Sequence, residues 1–343
     1  MNKKALVTGG AGFIGHHLVK QLLAQGTRVT VLDDLSSGCR ENLPIHAALR
    51  FIEGSVLSAS QVADAAKRVD IVFHLASVVG MRLAVRQRDQ AYHTAVEGTR
   101  TVLAATGGTP TVLFSSSAVY GLTVGELARE DDPVDVSRTL AYDGGIPGYC
   151  KGKLKSERLG QQVAQDGHPV LIVRPFNVVG IGQVGTYGMV IPTFVHNALA
   201  GKPLQVFGDG LQSRTFSEVK TFVSILLQLI QRSEAWHKPE NVVNIGTTQS
   251  TTILDLAKLV KHKVSSAVPI ELVPYQRIFP GKSDVFARVP DVTRLENLVG
   301  KVDWPPLIEV LDGIIGSVKR HCRTKLHHAN AFETLPVVNT ETT

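Results

Sequence analysis

Hydrophobic positions in the first half of the chain follow two rhythms. Short runs rich in aliphatic and β-branched residues occur at Ala5–Thr8, Arg28–Leu32, Arg50–Ile52, Asp70–His74, Thr111–Ser115 and Pro169–Arg174. Between them lie longer stretches, such as Phe13–Gln25, Ala91–Ala105 and Gly148–Asp166, with the texture of helices. Strands alternating with helices in this way predict an α/β fold, a doubly wound parallel sheet covered on both faces. Asn241–Ile245 reads as one more strand of that sheet.

Beyond Gly180 the alternation is lost and Gly and Pro become frequent (Gly182, Gly185, Gly188, Pro192, Gly201, Pro203, Gly208, Gly210). This predicts residues 1–178 as one domain and 179–318 mainly as a smaller, loop-rich lobe that closes over a substrate. The chain is expected to return to the first domain around 215–246. From Lys319 onward the sequence turns polar and aperiodic, so 319–343 is expected to be a disordered tail. There are no internal repeats.

Composition narrows the function classes. Of 343 residues 43% are hydrophobic and 19% charged, enough apolar material for a large core. The formal net charge of +6 is spread along the chain, with groupings at Arg82, Arg86 and Arg88 and at 319–325. No nucleic-acid motif accompanies it, so no nucleic-acid partner is expected, whereas a modest positive balance suits an anionic substrate such as a diphosphate. Cys39, Cys150 and Cys322 have neither metal nor redox spacing, so no metal site is expected. The N-terminus lacks signal-peptide anatomy, and the apolar stretch Phe222–Ile230 is too short to span a bilayer. The expectation is a cytoplasmic protein with no membrane partner.

The first candidate chemistry is Thr8-Gly9-Gly10-Ala11-Gly12-Phe13-Ile14-Gly15, which follows the first strand and opens a helix. Glycines at 9, 12 and 15 permit a tight turn, close approach of backbone to a pyrophosphate, and close helix–strand packing. The amides of the helix N-terminus then face the phosphates. The second strand ends in Asp33-Asp34. A carboxylate there accepts hydrogen bonds from the adenosine ribose and repels a 2′-phosphate, which selects NAD over NADP. Asp33 is the first choice for that role and Asp34 an assistant, unless Asp34 simply caps the loop.

The second is Tyr149-Cys150-Lys151-Gly152-Lys153. Tyr149 and Lys153 stand four residues apart, on one face of the expected helix. A phenol with an ordinary pKa of about 10 is a poor base at neutral pH. A neighbouring ammonium favours the phenolate and brings it into range. Lys151, two residues on, points elsewhere. A third group, Ser115-Ser116-Ser117, ends the fifth strand at the edge where such sheets bind ligands, and one of these hydroxyls can share the reacting proton with Tyr149.

Together these motifs resemble the extended short-chain dehydrogenase/reductase family, in its NAD-dependent nucleotide-sugar epimerase and dehydratase group. The resemblance spans roughly residues 3–315. It rests on TGGAGFIG (8–15), Asp33, FHLAS (73–77), SSSAVYG (115–121), YCKGK (149–153), RPFNVVG (174–180), GDGLQSRTF (208–216), VNIG (243–246) and RVPD (288–291). It implies a Rossmann-type domain with a smaller substrate lobe, NAD as cofactor and a nucleotide sugar, by default a UDP-sugar, as substrate. It makes Ser116 the catalytic hydroxyl beside Tyr149 and Lys153, with Ser117 as the alternative or a substrate contact. Lys153 would also hold the nicotinamide ribose, and Leu75 and Ala76 would line the cofactor. Ser55 and Val56 would stand near the adenine, and Asn177, Arg214 and Arg288 near the diphosphate. It further implies a homodimer through the helices at 91–105 and 148–166.

The chain departs from the family's pattern at several places. Ser55 replaces the usual Asp, and Ala95 the usual Asn. Glu218-Val219-Lys220-Thr221 stands for a YVDD-like segment, and Phe279-Pro280-Gly281-Lys282 for Arg-Pro-Gly-Asp. Where a 4,6-dehydratase carries an Asp-Glu pair, and a glucuronate decarboxylase a Glu, this chain has Ser117 and Ala118. Alanine moves no proton, so the expectation is a 4-epimerase working through a transient 4-keto sugar. A UDP-glucuronate decarboxylase, a 4,6-dehydratase and a non-catalytic NAD sensor are the alternatives.

Overall fold

The computed structural model describes residues 3–78, 88–121, 127–133, 148–185, 188–237, 241–265, 267–278 and 285–325. Arg82, Arg86, the segment 279–282 and the chain beyond 325 lie outside the described residues.

Seven strands form one sheet: β1 (Lys4–Thr8), β2 (Arg28–Asp33), β3 (Leu49–Glu53), β4 (Ile71–His74), β5 (Thr111–Phe114), β6 (Val170–Pro175) and β7 (Val242–Ile245). Their order is β7-β6-β5-β4-β1-β2-β3, with every pairing parallel. Each expected strand is present to within one residue at either end. From β1 the chain winds outward through β2 and β3, then returns to β4 on the other side. The crevice between the carboxyl ends of β1 and β4 is thus the switch point where such sheets bind ligands.

Helices cover both faces. On one lie α1 (Phe13–Ala24) and, later in the chain, α6 (Val219–Leu229); Leu18, Val19 and Leu22 pack with Phe222, Val223 and Leu226 over Val7, Val31 and Phe73. On the other, Val62 of α2 (Ala59–Ala65) and Val102 of α3 (Arg88–Thr106) pack on Leu6, Leu32 and Val72. Helix α4 (Tyr149–Gln165) lies against α3 through small residues, since a Cβ on Gly152 would stand 3.1 Å from the Ala95 Cβ and 3.3 Å from the Tyr92 Cα.

A second core gathers α5 (Val190–Leu199), α7 (Ile253–Val264) and α9 (Leu307–Lys325) around Ile191, Phe194, Leu256, Val260, Leu311 and Ile314. The short strands Leu204–Phe207 and Ile270–Val273 pair in parallel at its edge. A further helix, α8 (Thr293–Val299), sends Leu295 into the sheet's own core. Between its loops this part of the chain carries helices, and its frequent glycines sit in turns at positive φ, as at Gly201, Gly208 and Gly210. One expectation is corrected here: helix α9 continues past Lys319 to Lys325.

The chain returns to the sheet through Ser217–Glu218, which pairs with Val178–Val179, and then through α6 and β7. Among the described residues no helix is long and apolar enough to cross a membrane, and no group of His, Cys, Asp or Glu could hold a metal ion.

Candidate active site

At the switch point the glycine loop leaves no room for side chains. A Cβ on Gly9, where φ is +71°, would meet the Ala76 backbone nitrogen at 2.7 Å, and one on Gly15 would run into the Gly9 carbonyl oxygen. The same contact seats Leu75 and Ala76 beside the loop, with the Leu75 amide donating to the Thr8 carbonyl at 3.1 Å. Helix α1 begins at Gly12 with no side-chain cap and no acidic residue in its first turn. The amides around Phe13, Ile14 and Gly15 are therefore offered to an anion rather than to the protein's own carboxylates.

Asp33 closes the other side. Its Oδ2 accepts from the Ala11 amide at 2.9 Å and its Oδ1 from the Leu35 amide at 2.9 Å, so the carboxylate ties the glycine loop to the end of β2. The Gly12 amide also leans on this carboxylate, and of its roughly four lone-pair sites about one is left for a ribose hydroxyl. Burial raises its pKa, opposed by these backbone amides. Asp34 instead caps the following turn, accepting from the Ser36 amide at 3.0 Å and the Ser36 hydroxyl at 2.6 Å. Ser55 likewise serves its own turn: its Oγ accepts from the Leu57 amide, and its amide donates to Gln61 Oε1 at 3.0 Å. Val56 is buried against Gly98 of α3. An uncapped helix start, a cradle that a Cβ would fill and a carboxylate with a spare acceptor site fit a dinucleotide.

Next along the sheet edge come the three serines. Ser116 Oγ accepts from the Ala118 amide at 3.1 Å, capping the single 3-10 turn Ser117–Tyr120, and Ser116 remains half-buried. Ser117 and Ala118 are buried. Helix α4 packs on this turn. Its first residue is Tyr149, half-buried, and one turn on Lys153 is only 5% exposed. Lys153 Nζ donates to the Phe114 carbonyl at 2.7 Å, at the tip of β5, and lies 5.9 Å from the Tyr149 ring centroid. Burial pulls its pKa down to about 8, against the pull of Glu157. An ammonium anchored to a strand end beside a phenol is the arrangement that favours a phenolate.

His74, at the end of β4, has a different part. Its ring lies between Thr8 Oγ1 (2.8 Å from Nδ1) and Thr99 Oγ1 (3.2 Å from Nε2). Thr99 spends its own proton on the Ala95 carbonyl at 2.7 Å, so Nε2 carries the hydrogen and Nδ1 accepts. Burial, aided by the Lys153 charge, lowers its pKa to about 3. It is a neutral strut linking β1, β4 and α3, not a base.

On the substrate side, Asn177 adopts a left-handed conformation (φ +37°), and its buried Nδ2 has no hydrogen-bond partner among the described residues. A strained residue with a buried, unsatisfied amide is an expected mark of a ligand contact. Arg214 Nη1 donates to the Ser213 and Val285 carbonyls, and Arg288 Nη2 to the Gly121 carbonyl, each at 2.7 Å. Backbone carbonyls thus position both guanidinium groups. Glu218, in the segment that departs from the YVDD pattern, caps α6 by accepting from the Thr221 amide at 2.7 Å.

One cluster joins residues of three separate motifs to Glu157, a pairing the motifs do not announce. Arg174 makes a two-pronged ion pair with Glu157 (2.9 and 2.8 Å), both side chains almost wholly buried. It also donates to Tyr120 Oη at 2.9 Å, which donates to Asn244 Oδ1 at 2.8 Å. The available signal was an acid four residues after Lys153 and an arginine in an otherwise apolar strand.

Comparison with known proteins agrees with this geometry. The model of the NAD dependent epimerase/dehydratase family matches residues 5–246. The UDP-N-acetyl-alpha-D-glucosaminuronate decarboxylase of Bacillus cytotoxicus is 32% identical over 304 residues, covering 87% of this chain and 92% of that protein. UDP-glucuronic acid decarboxylase 1 of Danio rerio is 29% identical, covering 96% and 75% respectively. Among solved structures, the epimerase Mth375 of Methanothermobacter thermautotrophicus superposes with a TM-score of 0.85 at 25% identity over 95% of each chain. The chain belongs to the NAD-dependent epimerase/dehydratase family, and NAD is its cofactor.

Proposed function

We propose that this enzyme decarboxylates a nucleotide-linked uronic acid, by default a UDP-uronate, through a 4-keto intermediate. The observation that carries the reading is the similarity to a uronate decarboxylase across 87% of the chain. In this reading Gly9, Gly12, Phe13, Ile14 and Gly15 hold the pyrophosphate of NAD, and Asp33 holds its adenosine ribose. Val56 and Ser55 stand at the adenine, and Leu75 and Ala76 line the nicotinamide side. Asn177, Arg214 and Arg288 take the substrate diphosphate. When bound, NAD supplies the acceptor for the C4 hydride and later its donor.

The protein's own work begins with a proton. Tyr149, kept anionic by the Lys153 ammonium, takes the proton of the C4 hydroxyl, and Ser116 Oγ hydrogen-bonds the same oxygen. The resulting 4-keto uronate is a β-keto acid. Its C5–C6 bond breaks with the electron pair passing onto the C4 oxygen, and carbon dioxide leaves. Breaking that bond needs no acid or base; it needs hydrogen-bond donors at the C4 oxygen, which the Tyr149 and Ser116 hydroxyls provide. The enolate left behind then takes a proton at C5, supplied by water, before the hydride returns to C4 and the Tyr149 proton to its oxygen.

This chemistry changes the weight of Ala118. Loss of water requires a base for the C5 proton and an acid for the C6 hydroxyl, so Ala118 argues against dehydration. It weighs less against decarboxylation, whose bond cleavage needs no acid–base pair and whose enolate can take its C5 proton from water. Epimerisation at C4 is the second reading, because it too needs no residue at 118 and the Mth375 epimerase shares the fold.

The test is incubation with UDP-glucuronate, UDP-N-acetylglucosaminuronate and the corresponding neutral sugars, with products read by chromatography and mass spectrometry. Carbon dioxide loss from a uronate supports the reading. An isomer of unchanged mass would replace it with epimerisation.

A further inference from the structure

Among the described residues, one buried charged system is left unused by the mechanism above. Glu157 lies one helical turn past Lys153 on α4 and is 2% exposed. Arg174, 3% exposed on β6, clamps both of its oxygens. The guanidinium is held in turn by Tyr120 Oη and by the Glu130 carbonyl at 3.2 Å, and the Glu130 carboxylate accepts from the Asn244 amide at 2.8 Å. Every partner lies on a different element: α4, β6, the turn after β5, the segment at 127–133 and β7. A buried pair of this kind gives little net stability against an apolar replacement, so its presence calls for another explanation.

We propose that Glu157, fixed by Arg174, is a positioning residue for the catalytic pair: its pinned carboxylate keeps Lys153 charged and in place, and through Lys153 sets the pH at which Tyr149 becomes a base. The inference rests on the Tyr149–Lys153 reading above. An ammonium buried to this degree is costly without a counter-charge. On its own helix Lys153 has Tyr149 on one side and Glu157 on the other. From β4 it faces His74, which is neutral, and from β5 only the Phe114 carbonyl. Helix α3 presents Ala91, Ala95 and Thr99 to the seam, while its charged Glu97 and Arg100 pair with each other at the surface, His93 is exposed and Tyr92 is half-buried. From β6 and the turn after β5 come Arg174 and Tyr120, both turned onto Glu157 and Asn244. Among the groups described, Glu157 is the negative charge that faces Lys153.

The test titrates Tyr149 in the NAD-loaded enzyme, from the ultraviolet tyrosinate band of each protein minus that of its Tyr149→Phe counterpart. No substrate is needed. The double variant Glu157→Gln/Arg174→Gln removes both charges and leaves two amides able to hydrogen-bond, avoiding a lone buried charge. Its Tyr149 midpoint should rise by up to about one pH unit, because the carboxylate one helical turn from Lys153 is lost together with a guanidinium that stands behind it. Turnover at neutral pH should fall by up to about tenfold, in keeping with that loss of basicity. Glu157→Asp, which keeps the charge, should hold the midpoint near that of the parent even if it melts earlier. An unmoved midpoint in the double variant, with reduced thermal stability alone, would overturn the proposal and make the cluster purely structural. If the parent enzyme shows no tyrosine of lowered pKa, it is the Tyr149–Lys153 reading that fails instead.

Discussion

The two ends of the ligand crevice are built on different principles. Around β1 and α1 the site is made of backbone: amides at 12–15, glycines that leave no space for a Cβ, and one carboxylate, Asp33, tying the loop together. Around β5 and α4 it is made of side chains whose charge state matters: Ser116, Tyr149, Lys153 and behind them Glu157 and Arg174. In the proposed reading the first end binds and the second moves protons, and a single position such as Ala118 weighs against one class of reaction there. Cofactor binding is accordingly encoded in a short local motif, whereas the choice of reaction depends on residues scattered over half the chain.

Variants should separate the two ends. The largest effect is expected from Tyr149→Phe, which removes the base and leaves the backbone cradle intact. Turnover should drop by about 10²–10⁴-fold with NAD affinity unchanged, measured by steady-state rates and NAD titration. Gly15→Ala should do the reverse. Its Cβ would collide with the Gly9 carbonyl and stand 2.7 Å from the Gly10 Cα, so about 1–3 kcal/mol of stability and most NAD binding should be lost. Equal loss of turnover and of cofactor in both variants would erase the distinction.

A pH effect of comparable size belongs to the cradle. His16, buried on α1 with its ring centroid 4.1 Å from that of His17, has its pKa lowered to about 4 by burial and by that neighbour. Since the folded value is below the unfolded one, its stability contribution is complete above about pH 6.5 and is lost as pH falls toward 4. The difference is about 3 kcal/mol. Urea unfolding at pH 7.5 and 5 should show about 2 kcal/mol of this loss in the parent and a smaller one in His16→Asn. Asp33→Asn comes next. It keeps an acceptor for one loop amide but not for both, so NAD should bind roughly tenfold more weakly, the equivalent of about 1.4 kcal/mol. Ala118→Glu should change decarboxylation least, by less than about tenfold, because breaking the C5–C6 bond of the β-keto acid needs no acid or base and the C5 proton can come from water.

Legibility in the sequence follows the same division. The strands of the sheet and the glycine loop were readable because each depends on residues adjacent in the chain. Tyr149 and Lys153 were readable because four residues make one helical turn. Glu157 and Arg174 were not, since only the packing of α4 on β6 brings them together across 17 positions. Asp34 and Ser55 also serve local turns, Asp34 through the Ser36 amide and Ser55 through the Leu57 amide, a use that residue type alone does not announce. In the second lobe frequent glycine marks the turns without revealing the helices between them.

The central claim is that one tyrosine-driven oxidation at C4 makes a uronate lose its carboxyl group. UDP-glucuronate labelled with carbon-13 at C6, given to the NAD-loaded enzyme, tests it most directly. The account predicts labelled carbon dioxide in step with product from the parent enzyme, and none from Tyr149→Phe. Product that retains the label with its configuration at C4 inverted would contradict the account.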